Sequence, residues 1–289
     1  MNHLAASELI LNKDGSIYHL NLLPEHIADT IILVGDQNRV AKITRYFDEV
    51  EVVVKKREFH TQTGTYKGKR ISVISTGIGT DNIDIVLNEL DALVNIDFNT
   101  REIKEKHTQL DIIRIGTSGS IQEDIPVDSI VISHLAVGFD SLLHFYQSDE
   151  VQLQDFNRAI EEHLDIYPRN SKPYVVAADE QLVEQFTSSE IFEGFTGSNV
   201  GFYAPQGRVL RLPLRDDNMK EKLSDFSFKG KKITNLEMET SAIFGLGKLL
   251  GHRTLSVNAI IANRATGNFT KDGAEAIDKT IRYTLDKLV

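Results

Sequence analysis

The run Ile112-Ile113-Arg114-Ile115, entered from Asp111 and followed by Gly116-Thr117-Ser118-Gly119-Ser120-Ile121, restricts the fold more than any other stretch. Its length and flanking turn formers predict a buried strand. Arg114 breaks that strand with a charge, which must be paired or face a cavity because an unpaired buried guanidinium is too costly. Gly116 to Gly119 is expected as a turn with free backbone N–H groups and two hydroxyls. Strand end, glycine turn, hydroxyls and arginine together suit a small oxyanion such as phosphate. A strand, a tight turn and an arginine in a structural ion pair fit the same residues.

Two more strand-to-turn junctions lie upstream. Ile31 to Val34 runs into Gly35-Asp36-Gln37-Asn38-Arg39, and a helix is expected to follow with Val40, Ile43 and Phe47 on one face. Arg39 then sits near a helix N-terminus, where a cation opposes the dipole unless an anion lies between. An exposed arginine in a surface turn is the plainer alternative. Val52 to Val54 and Ile71 to Ile74 read as strands joined by a hairpin around Tyr66 to Lys69, with Arg57-Glu58-Phe59 between them. Ser75 to Asn82 is a third glycine loop, and it lacks the third glycine of a dinucleotide fingerprint. Asp81 or Asn82 is expected to cap the next helix, whose Val86, Leu90, Leu93 and Val94 share a face. Asn95 to His107 reads as a solvated connection.

Downstream, Ser129 to Ser133 reads as a strand, Leu153 to Leu164 as an amphipathic helix, and Tyr174 to Ala178 as a strand. Asp179 to Phe195 reads as helix and loop. The aromatic residues within 139–150 suit a pocket wall or a subunit contact, and core packing equally. Gly201 to Arg208 mixes rings with amide and guanidinium groups, which suits a planar heterocycle as well as an ordinary loop. Asn235 to Ser241 sets Glu237 and Glu239 around Met238, ahead of an apolar helix, Ala242 to Leu250, that Gly251 can end. Leu255 to Ala262 is a strong strand ending in Asn263-Arg264, and the last helix carries Ile277, Ile281, Leu285 and Leu288 on one face. This alternation, without a proline- or glycine-rich linker, predicts one α/β domain over residues 1–289. A central mixed sheet would carry helices on both faces, and residues 1–15 would form an arm.

Composition narrows the function. A net charge of -10 and a pI near 5.4 leave no general basic face for nucleic acid or an anionic membrane. An anionic substrate would therefore need a local arginine cluster. With no cysteine, disulfides and thiolate metal sites are excluded, which fits a cytoplasmic location. Met1 to Gly15 lacks a basic start and a long apolar core, so no secretory signal is expected. No apolar run approaches a membrane span. The nine histidines form no His-Glu-x-x-His pattern, so no metal site is expected.

Taken together, the segments resemble the nucleoside phosphorylase superfamily, and most closely the uridine phosphorylases, from about His19 to the end of the chain. The resemblance is carried by VGDQNRV (34–40), REF (57–59), STGIG (75–79), RIGTSGSIQ (114–122), FYAPQGR (202–208), NLEMETSA (235–242) and IIANR (260–264), in that order and spacing. It implies the superfamily's three-layer α/β/α sandwich with a central mixed β-sheet, as a homodimer or a hexamer built as a trimer of dimers. It implies a phosphate site from Gly35, Arg39, Arg114 and Thr117 with Gly119 beside them, and Arg57 reaching in from a neighbouring subunit. Met238 and Glu239 would hold the ribose with Glu237 beside them, and His19 would cross the interface to the 5′-hydroxyl. Gln206 and Arg208 match the pair that reads uracil, with Phe202 near the base and Arg264 behind.

The chain departs from the family's pattern in places. Gln37 replaces the proline of a Gly-Asp-Pro turn, and Ala204-Pro205 inverts the usual Pro-Gly order. Some bacterial relatives bind a monovalent cation through residues matching Glu58, the Ile78 carbonyl and a serine; Asn82 stands in place of that serine, which leaves the ion open. No other cofactor is implied, inorganic phosphate being a co-substrate. The activity implied is phosphorolysis of uridine to uracil and ribose 1-phosphate. Purine phosphorylases of the superfamily use a Ser-Asp pair where this chain has Asn263-Arg264. A nucleosidase would not need three arginines around one anion, and a non-catalytic nucleoside binder would not need every polar group of the site.

Overall fold

In the computed structural model, which describes residues 3–165 and 171–289, the apolar runs become strands and the amphipathic runs helices. In chain order these are β1 (Thr30–Val34), α1 (Gln37–Thr44), β2 (Glu49–Lys56), β3 (Phe59–Tyr66), β4 (Lys69–Ser75) and α2 (Thr80–Asn95). The short β5 (Ile96–Asp97) and β6 (Glu102–Ile103) precede β7 (Asp111–Ser120), β8 (Ile130–Gly138), α3 (Gln154–Leu164), β9 (Tyr174–Ala177), α4 (Glu180–Phe186) and β10 (Phe192–Ser198). Then come α5 (Met219–Asp225), β11 (Ser227–Phe228), β12 (Lys231–Lys232), β13 (Asn235–Glu237), α6 (Thr240–Leu249), β14 (Arg253–Asn263), β15 (Asn268–Phe269) and α7 (Gly273–Lys287).

Eleven strands form one sheet in the order β15-β14-β8-β10-β13-β7-β1-β4-β3-β2, with β9 added beside β8. β14 also pairs in parallel with β7, so β14, β8, β10, β13 and β7 close into a ring from which β1, β4, β3 and β2 extend as a flange. The sheet is mixed: β1 runs parallel to β7 and β4, whereas β8 is antiparallel to β14 and β13 to β7. β1 is buried at every residue, and β7 and β14 at nearly every one, so both faces are covered. α2 packs on α6, and α7 lies on β14 and β7. The result is the three-layer α/β sandwich, with its middle layer curled. One continuous core joins Ile31, Val73, Leu90, Ile113, Phe244 and Ile281. The segment ahead of β1 is tied to it: Leu9, Ile17, Leu20 and Leu22 are buried in that core, and Arg101 donates to the Leu4 and Ala5 carbonyls.

Four local expectations are corrected. Gly116 to Gly119 is strand, not turn, because β14 pairs with β7 along its whole length to Ser120. Gly116 supplies room instead: the Arg114 side chain folds over it, and a Cβ there would lie 1.5 Å from Arg114 Nη1. The single hairpin between β2 and β4 is two hairpins, with Arg57 at φ 55° turning the chain into β3. Asp81 and Asn82 do not cap α2; its N-cap is Gly79 at φ 100°. Finally, the end of Asp179 to Phe195, expected as helix and loop, is strand from Phe192 and runs on to Ser198 as β10 inside the sheet.

The ring creates the gap that the chemistry needs. β1 pairs with β7 over Asp111 to Arg114, and β13 pairs with the same edge only at Gly119 and Ser120. From Ile115 to Ser118 that edge has no strand beside it among the described residues.

Candidate active site

The gap forms the floor of a cavity of about 880 Å³. Gly35 and Arg39 reach it from the β1–α1 junction, and Arg114, Thr117 and Gly119 from β7. Glu237, Met238 and Glu239 enter between β13 and α6, and Phe202, Gln206 and Arg208 from the loop after β10. Every site residue expected from the sequence lines this cavity except His19, Arg57 and Arg264. A second cavity, of about 680 Å³, lies behind the Asn199–Pro205 loop and includes Phe139, Asp140 and Ser141. Of the aromatic residues within 139–150, Phe139 thus walls this second pocket, whereas Phe145 and Tyr146 are exposed and line neither.

At one end of the main cavity two arginines converge. Asp36 caps α1 by accepting from the Asn38 N–H at 2.9 Å, which places Arg39 in the first turn. Arg39 is buried, and its Nη1 donates to the Ile115 carbonyl, on the open edge of β7, at 3.1 Å. It makes no ion pair among the described residues. Burial, and then the nearby Arg114, lower the Arg39 guanidinium to about 10, so it is a cation at neutral pH that an anion would relieve.

Arg114 donates from Nη1 to Asn258 Oδ1 at 2.9 Å, and its Nη2 lies 2.5 Å from Glu239 Oε2 and 3.2 Å from Glu237 Oε2. Desolvation works against its charge, but the two carboxylates outweigh that and raise its pKa. Glu239 moves up from the ordinary carboxylate range because burial and the Glu237 charge exceed what Arg114 returns.

The two acids have different duties. Glu237 caps α6, accepting from the Glu239 and Thr240 N–H groups at 3.0 and 3.1 Å and from Ser198 Oγ at 2.6 Å. Its lone pairs are spent on the fold. Glu239 faces the cavity, with Oε1 accepting from the Gly79 N–H at 2.8 Å and Oε2 on Arg114. It therefore joins the glycine loop before α2 to the arginine of β7.

At the other end, Gln206 is buried and Arg208 stacks over the Phe202 ring at 3.9 Å. Arg208 Nη1 donates to the Phe202 carbonyl at 2.7 Å and also to Gln206 Oε1. Gly207 turns the loop at φ 68°, and Arg264 holds it from behind by donating to the Gln206 carbonyl at 2.5 Å and the Gly207 carbonyl at 3.3 Å. Burial, then the charge of Arg264, lower Arg208 to about 10. The pair offers guanidinium and amide donors beside one amide acceptor, the complement of an edge that alternates carbonyls with a ring N–H. Asn263 is occupied: its amide donates to the Gln122 and Ile125 carbonyls, and its oxygen accepts from the Ala265 and Thr266 N–H groups.

His19 and Arg57 are not among the residues that line the cavity, although Gln37 and Glu58 beside Arg57 are. Glu89 on α2 accepts from His19 Nδ1 at 2.7 Å and from the His19 and Leu20 N–H groups at 2.9 and 2.8 Å. Arg57 lies 5.9 Å from the Tyr18 ring centroid, and Gln37 donates to its carbonyl at 3.0 Å. Glu58, Ile78 and Asn82 line the cavity, with Asn82 Nδ2 donating to the Ile78 carbonyl at 3.4 Å. No cluster of three or more His, Cys, Asp or Glu able to hold a metal occurs among the described residues.

Sequence reasoning missed Asn258 and the real use of Gly116. The signal for Asn258 was present, since it is a polar amide in the middle of a largely apolar run, Leu255 to Ala262.

Residues 29–288 match the model of the phosphorylase superfamily. Uridine phosphorylase of Thermococcus kodakarensis is 30% identical over 263 residues, covering 90% of this chain and 82% of that one. A DeoD-type purine nucleoside phosphorylase of Bacillus velezensis is 27% identical over 259 residues, covering 87% and 90%. Among solved structures, the Trypanosoma brucei nucleoside phosphorylase, which shows uridine phosphorylase activity, superposes with a TM-score of 0.86 at 30% identity, covering 97% of this chain and 99% of that one.

Proposed function

The chain belongs to the phosphorylase superfamily, and from that premise we propose that it is a uridine phosphorylase, a pentosyltransferase that converts uridine and phosphate to uracil and ribose 1-phosphate. The observation that carries the reading is one cavity with two buried arginines at the open edge of β7 and the Gln206–Arg208 pair across from them.

Cleaving an N-glycosidic bond builds positive charge on the ribose and negative charge on the departing base. A phosphate dianion between Arg39 and Arg114, near Gly35 and Thr117, is both nucleophile and stabiliser of the cationic sugar. Arginine suits this task because its planar fork matches phosphate oxygens. Glu239 accepts from the ribose hydroxyls beside Met238 and turns the sugar toward the phosphate. Gln206 and Arg208 hold the leaving uracil anion through its carbonyl and N–H edge, with Phe202 beside the ring. No organic cofactor or covalent enzyme intermediate enters this chemistry.

His19 and Arg57 serve the site of a neighbouring subunit in this reading, which is supported by the absence of both from the lining of their own cavity. A homo-oligomer, a dimer or a ring of dimers, is then the working form, in the cytoplasm. No described helix is long and apolar enough to cross a membrane.

The purine alternative is weaker, since Asn263 is consumed by backbone contacts and Arg264 cannot usefully protonate a base at neutral pH. A panel of uridine, thymidine, inosine and adenosine at saturating phosphate tests the base pocket. Pyrimidine nucleosides are expected to lead in kcat/KM, because the wrong edge leaves buried polar groups unpaired. A better kcat/KM for inosine would overturn the pocket assignment and leave the superfamily intact.

A further inference from the structure

We infer that Asn258 is a positioning residue for phosphate, one that aims the Arg114 guanidinium without neutralising it. The inference rests on the phosphorylase reading above.

Asn258 is fully buried in β14 and does not line the cavity, so it acts through Arg114. Arginine has only donors, so the atom facing Nη1 at 2.9 Å is the amide oxygen. The amide is held from behind: its Nδ2 donates to Ser256 Oγ at 3.1 Å and Ser133 Oγ at 3.3 Å. Ser256 in turn accepts from Thr240 Oγ1 at 2.9 Å, and Ser133 Oγ lies 2.6 Å from Thr196 Oγ1. All five side chains are fully buried.

The register makes a seat. Asn258 pairs across the ladder with Gly116, the residue whose missing side chain lets Arg114 fold back along its own strand. Gly116 gives the floor, Asn258 one wall and Glu239 the other.

The chemistry of position 258 follows from the charges already present. Glu237 and Glu239 share Arg114, so a third carboxylate there would cancel the positive potential an anion needs. An apolar side chain would leave Nη1 buried without an acceptor. A neutral amide orients the guanidinium and leaves its charge for the substrate.

Asn258→Asp, close to isosteric, and Asn258→Ala test this in the full chain. Phosphate affinity is measured by calorimetry without nucleoside, KM is measured separately for phosphate and uridine, and melting confirms the fold. Asn258→Asp is expected to raise the Kd and KM for phosphate about tenfold or more, the scale on which partners behind a primary ligand act. KM for uridine should change by less than about twofold, and Asn258→Ala should show the same one-sided pattern, so it serves if the Asp variant does not fold. A folded variant with wild-type phosphate constants, or an equal rise in both KM values, overturns the inference. A wild-type protein that cleaves uridine without phosphate overturns the phosphorylase reading, and this inference with it.

Discussion

Arg114 is the residue on which the two halves of the site depend. It is bonded to Asn258 on one side and to Glu239 on the other, and it lies close enough to Arg39 to lower that residue's pKa. Its charge is offset by two carboxylates, Glu237, which also holds the start of α6, and Glu239, which on the proposed reading also holds the ribose. Arg114→Ala should cost about 2–4 kcal/mol of transition-state stabilisation, the usual loss for one preorganised donor. Steady-state kinetics at varied phosphate check this, and kcat/KM within a factor of about three of wild type would contradict it. The arginines and acids themselves were legible in the sequence, because a charge inside an apolar run or a pair of acids ahead of a helix stands out. What they bond to was not. Glu237 as the cap of α6 and the Gly79 N–H on Glu239 come from chain segments far apart in sequence.

At the scale of elements, β1, β7, β14 and the amphipathic helices could be read because their apolar runs have strand or helix periodicity. β3 and β10 could not. Their sequences, FHTQTGTY and FEGFTGS, are polar and glycine-bearing, and they are strands because neighbours pair with them on both edges. The same tertiary pairing explains Gly116, which reads locally as a turn residue but is kept in strand by β14. Its role gives a test: Gly116→Ala would put a Cβ where Arg114 Nη1 lies, and that guanidinium is anchored by Asn258 and Glu239. The variant should fold with a loss of about 1–3 kcal/mol in stability, as overpacked sites do. Phosphate KM should rise while the Gln206–Arg208 end is unaffected. Wild-type phosphate kinetics in a folded Gly116→Ala would mean that Arg114 need not lie over Gly116 to work.

For the whole molecule, the ring of β14, β8, β10, β13 and β7 leaves one edge of β7, from Ile115 to Ser118, without a strand beside it among the described residues, and the cavity sits over that edge. No sequence pattern announces such a closure, since it depends on where two strands stop along a third. His19 and Arg57 do not line the cavity of their own chain, and subunit sharing is testable by mixing Arg57→Ala with Glu239→Ala under conditions of subunit exchange. In a mixed dimer one site collects both defects and the other neither, so up to about half the sites of such dimers should recover. Activity that stays at the parental level after verified exchange would assign Arg57 to its own subunit.

The most direct test of the central claim is uridine turnover in buffer stripped of phosphate, then with phosphate restored. Uracil and ribose 1-phosphate should form only with phosphate, since on the proposed reading the nucleophile is an anion seated between Arg39 and Arg114. Uracil release at the same rate without phosphate, with free ribose as the second product, would contradict it.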